Sequence, residues 1–91
     1  MAKNDRTFPP LSSPVIIRQE GGRTILGEVV KVDRRKGLLQ LAKASILEVV
    51  GLRRSLEPIY SKKVALDGSI VIPIQEIAHW EKAPHDLVHR N

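Results

Sequence analysis

The sequence predicts an all-β fold: a small, strongly bent five-stranded barrel with an extended N-terminal arm and a short C-terminal tail. Three observations carry that expectation. Short runs rich in Val, Ile and Leu recur between polar turns. Gly21-Gly22 and Asp67-Gly68 mark places where the backbone can take the positive φ of a tight turn. One long run, Arg23 to Val32, has apolar residues on both of its faces and a glycine, Gly27, in its middle.

The elements follow in order. Residues 1–14 hold Pro9, Pro10 and Pro14 beside Thr7, Ser12 and Ser13, a stretch without helix periodicity that reads as a flexible, extended arm. The barrel is expected over residues 15–82. Val15 to Gln19 is a β-branched run that ends at Glu20-Gly21-Gly22. In the second strand, Arg23 to Val32, strict alternation puts Ile25, Gly27 and Val29 on one face and Leu26, Val30 and Val32 on the other. A glycine there permits a sharp bend or a close backbone approach, so that one strand curls round to serve two sheets. Asp33-Arg34-Arg35-Lys36-Gly37 is a polar turn.

The third strand starts at Leu38 and is expected to reach about Lys43, followed by a second extended piece to Val50. The same residues, Leu38, Leu41, Ala42, Ile46, Val49 and Val50, also fit one side of a helix. Residues 51–58, with Arg53, Arg54 and Ser55, read as a loop. Tyr60 to Leu66 and Ser69 to Pro73 read as strands on either side of the Asp67-Gly68 turn, and Pro73 marks an edge or a corner because it cannot donate to a ladder. Ile77 to Glu81 is a short last strand. Residues 83–91 are expected as a tail or a short cap on the barrel.

Composition narrows the functional classes. A chain of 91 residues forms one domain with a thin stability margin, which self-assembly would improve. The lack of cysteine removes disulfides and thiolate metal sites and suits a reducing cytoplasm, the expected location. No apolar run approaches the length of a membrane span. A net charge of +5 favours polyanionic partners. Phe8, Tyr60 and Trp80 are the only aromatic residues, too few for a base-stacking platform, so RNA contacts would rely on arginine, backbone and phosphate.

No serine elbow, cysteine nucleophile or apolar carboxylate pair points to an enzyme. His85 and His89 have the spacing of helix-borne metal ligands, but Pro84 precedes them, and neither a metal nor another cofactor is expected.

The spacing of Gly22, Gly27, Val29, Asp33 and Leu38, followed by Ile72, Gln75, Glu76, Ile77 and Glu81, resembles the two motifs of the Sm/LSm family. The resemblance implies a small SH3-like barrel that assembles into a ring, of about five to seven subunits here, and binds RNA where the turns of the two motifs meet beside a pore. Two departures fall at that place. Gly37 stands where the family has asparagine, and Pro73-Ile74 stands where it has arginine-glycine. The first removes an amide that reads a base edge, and the second removes a guanidinium that stacks or pairs.

The RNA-contact candidates that remain are Arg34, Arg35 and Lys36 on one turn and Gln75 on the other, with Glu76 partly cancelling their field. Arg35 is the strongest, because a guanidinium can stack on a base and hold a phosphate at once. Its plain alternative is an exposed turn arginine that serves solubility. Subunit contacts are expected at the strand edges, through Ser69, Val71, Ile77 and Trp80. The rival reading is a structural or adaptor module whose apolar edges bind a protein partner, without RNA function.

Overall fold

In the computed structural model, which describes residues 8–84 and Leu87, six strands form one antiparallel sheet. They are β1 (Pro14–Gln19), β2 (Thr24–Asp33), β3 (Leu38–Leu52), β4 (Pro58–Ala65), β5 (Ile70–Pro73) and β6 (Ile77–Lys82), with a single 3-10 turn, Ile74–Glu76, between the last two. The sheet order is β4-β3-β2-β1-β6, and β5 also pairs with β3. There are six strands rather than the expected five because β3 is long enough to hold two neighbours in succession. Leu38 to Leu41 pair with β5, and Ser45 to Leu52 pair with β4. No ladder joins β5 to β6 among the described residues, so strand pairing does not close the sheet.

The third strand corrects the expected break at Lys43. The strand pairing continues past it to Leu52, and the irregularity there is a bulge. Leu26 faces Ser45 and Glu28 faces Ala42, so Gly27 alone opposes both Lys43 and Ala44. Lys43 takes a positive φ of 53°, an uncommon state for a lysine. A Cβ on residue 27 would lie 3.0 Å from the Cβ of Leu41 and 3.1 Å from its Cδ1. The glycine therefore lets the two strands close up beside the bulge.

A second bulge sits in β2. Val29 faces Leu41 and Lys31 faces Gln40, which leaves Val30 without an opposite number. This one extra residue shifts the alternation. Val29 is fully buried, Val30 and Lys31 are exposed, and Val32 packs against the same core as Val29. Val32 therefore does not share a face with Leu26 as simple alternation predicts. The segment read as a loop, residues 51–58, is mostly hairpin. β3 and β4 continue to Leu52 and Pro58, and the turn closes with hydrogen bonds from Arg53 N–H to the Glu57 carbonyl and from Leu56 N–H to the Arg53 carbonyl, both 2.8 Å.

The pleat sends alternate residues of β1 and β2 into two separate cores. Val15, Ile17, Ile25 and Val29 join Leu39, Leu41, Ala44, Ile72 and Ile77 in the larger one. On the opposite face Ile16 and Leu26 join Leu47 and Leu87, with Tyr60 and Ala83 packed at the margin.

Residues 1–7 of the arm lie outside the described residues, as does most of the tail beyond Pro84. Residues 8–13 are docked on the sheet. Phe8 packs on the larger core, Pro9 is fully buried, Ser12 N–H donates to the Val29 carbonyl at 2.7 Å, and Val29 N–H donates to the Ser13 carbonyl at 3.1 Å. No helix among the described residues is long and apolar enough to cross a membrane.

Candidate nucleic-acid interface

The turn that links β2 to β3 is built by its two end residues. The Asp33 carboxylate accepts the Lys36 N–H at 3.1 Å, the local bond that makes aspartate a turn former. Gly37 completes the turn at φ +67°, a conformation that favours glycine. Its carbonyl accepts the Ile74 N–H at 2.7 Å, and a Cβ on residue 37 would meet the Ile74 Cγ2 at 3.2 Å. Gly37 thus serves close approach between the two turns. The 3-10 turn is held at its other end as well, because the Glu76 carbonyl accepts the Glu20 N–H at 2.8 Å.

This framework brings Arg34, Arg35 and Lys36 into one exposed group and sets the 3-10 turn that carries Gln75 beside it. Arg34 is engaged from behind: its guanidinium carbon lies 5.2 Å from the centroid of the Phe8 ring, within cation–π range. That contact fixes one cation of the turn against the docked arm. The side chains of Gln75 and Glu76 are exposed on the adjoining turn. No shape here encloses a ligand. The arrangement is an exposed group of cations beside turn backbone, the chemistry by which proteins hold phosphates.

Beside the turn runs a groove of about 190 Å³, lined by Lys31, Asp33, Lys36, Leu38, Gln40 and Val71 among others. Its walls come from β2, β3 and β5, aligned by the pairs Lys31 with Gln40 and Gln40 with Val71. A second cleft, of about 290 Å³, lies on the face of the smaller core between Arg18, Arg53, Glu57, Tyr60, Glu81 and Leu87. Burial raises the Tyr60 pKa, the negative charge of Glu81 adds to the rise, and Arg18 opposes it. Glu81 also lies 3.3 Å from the Nε2 of His79.

The expected interface residues occupy different environments. Ser69 is exposed in the link before β5, and Val71 is exposed on β5. Trp80 is half-buried against the larger core. Ile77 is buried in that core, so its backbone alone lies along the sheet edge. The outermost strands of the sheet path are β4 and β6. The role of β4 as an edge was missed by sequence reasoning, although Pro58 at its start and Lys62-Lys63 in its middle are signs of a protected edge. Among the described residues no cluster of His, Asp or Glu is arranged to hold a metal, and His85 and His89 lie outside them.

The chain matches no protein-family model and no curated protein sequence.

Proposed function

We propose that this chain is an Sm-like, ring-forming protein with a small SH3-like barrel, and that it binds RNA or another single-stranded nucleic acid through Arg34, Arg35 and Lys36. The observation that carries the reading is the 2.7 Å hydrogen bond from Ile74 N–H to the Gly37 carbonyl. It joins the turn of the first motif to the turn of the second, the meeting that the resemblance implies beside a pore. Strand order supports the same reading, since β4 and β6 end the sheet path on opposite sides. Pairing β4 of one copy with β6 of the next is a head-to-tail contact, which closes into a ring when the rotation allows.

Assembly matters for affinity. Three cations on one copy make a weak site, whereas six copies would gather about eighteen around one opening and release counter-ions accordingly. Binding of labelled oligo-U and oligo-A at two salt concentrations, with molar mass from light scattering, tests both parts. A multimer whose affinity falls steeply with salt is expected, and Arg35→Glu should abolish the complex. A monomer, or no complex even at low salt, overturns the reading.

The adaptor reading has one observation in its favour. Val49, Val50, Leu52 and Leu56 are all exposed on the β3–β4 hairpin, Leu56 at 76%. A complex unchanged by Arg35→Glu, or the absence of any complex with nucleic acid, would favour it.

A further inference from the structure

We infer that the docked arm is part of the nucleic-acid site: Phe8 is a positioning residue that holds Arg34 ready to grip a phosphate of the bound strand. The inference rests on the nucleic-acid reading above and adds to it what prepares the contact. Arg34, Arg35 and Lys36 are all exposed cations, and they differ in what lies behind them. The Arg34 guanidinium carbon lies over the Phe8 ring, 5.2 Å from its centroid, and among the described residues no ring backs the other two. Both partners stand on fastened backbone. Phe8 packs on the larger core, Pro9 beside it is fully buried, and Ser12 and Ser13 hydrogen-bond to Val29 of β2. The turn is closed by the Asp33 carboxylate on the Lys36 N–H and by the Gly37 carbonyl on the Ile74 N–H.

The kind of contact decides what Arg34 can still do. A carboxylate would place the guanidinium and cancel its charge. A ring offers only its π face, so it places the cation without neutralising it. No hydrogen bond or ion pair joins Arg34 to another described residue. Its charge and its N–H fork therefore remain for an anion, and a phosphate takes such a fork through two parallel hydrogen bonds. Order set in advance favours that step. A long side chain that is ordered only on binding gives up its rotamer freedom then, whereas Arg34 has given up part of it in folding. Arg35, the stronger candidate from residue types alone, has no such backing.

The test is a double-mutant cycle on the full chain, with binding of labelled oligo-U and oligo-A read by fluorescence anisotropy at several salt concentrations. Phe8→Leu keeps an apolar side chain on the core and removes the ring. It should lower affinity about two- to fivefold, the worth of an exposed cation–π contact. No charge is lost, so the salt dependence should keep its slope. The same loss is expected in an Arg35→Gln background and none in an Arg34→Gln background, where the ring has no cation to hold. Equal losses in all three backgrounds, or no loss from Phe8→Leu, overturn the positioning role while the nucleic-acid reading stands. If Phe8→Leu does not fold, NMR relaxation of the arginine Nε–H groups in the free, unaltered chain decides the matter. Arg34 should be more ordered than Arg35, and equal mobility overturns the role. Absence of any complex at low salt overturns both.

Discussion

The two faces of the β1–β2 pair are buried in different ways. The larger core draws its residues from β1, β2, β3, β5 and β6, and Phe8, Val32, Leu66, Ile70, Ile74 and Trp80 pack around it. Across the same strands, among the described residues, the smaller core holds Ile16, Leu26 and Leu47, with Leu87 from beyond β6 and Tyr60 and Ala83 at its margin. The first is made by the curvature of the sheet. The second depends on what is laid over it. Stability should therefore be concentrated on one side, while the other can be loosened without loss of the fold.

Substitutions that enlarge each core in turn break this comparison most directly. Leu41→Ala removes a fully buried side chain packed against Gly27 and should cost about 3–4 kcal/mol in denaturant unfolding. Leu47→Ala, in the smaller core, should cost about 2 kcal/mol, because a shallow site with few neighbours collapses more easily. Equal costs would mean that the two cores share one cooperative load.

The smallest effect is a pH dependence confined to the smaller core. The Tyr60 pKa is higher in the folded chain than the ordinary 10.0, chiefly through burial, so the neutral phenol is favoured by folding. That contribution is complete below the ordinary value and is lost as pH rises through the folded one. Tyr60→Phe should therefore leave neutral stability little changed and flatten the alkaline decline seen in urea unfolding above about pH 10. An identical decline in both proteins would show that Tyr60 carries none of it.

Much of the strand pattern was legible from residue types. Gly27 announced a close backbone approach, and Asp33 and Gly37 announced the turn that carries the candidate site. What escaped was geometry of a single residue at a time. The bulges at Val30 and at Lys43-Ala44 have no glycine to mark them, so alternation ran past the first and a break was expected at the second. Arg53-Arg54-Ser55 gave the hairpin tip the look of a loop, although its flanks keep pairing.

The docking of Phe8 under Arg34 joins residues far apart in sequence, and so does the contact of Leu87 with Ile16 and Leu26. Neither has a local signal. The three basic residues of the turn are consecutive in the sequence, so their grouping needed no tertiary information. The groove beside them did, because Lys31, Gln40 and Val71 become neighbours only once the strand register is known.

The surplus residue at Val30 is exposed at the bulge, so its identity is lightly constrained. Removing that one position would leave Val29 opposite Leu41, Lys31 opposite Gln40 and Val32 opposite Leu39, with Lys31 still outward and Val32 still inward. What would be lost is the local kink and added twist that a bulge gives its strand, ahead of the turn that Asp33 anchors.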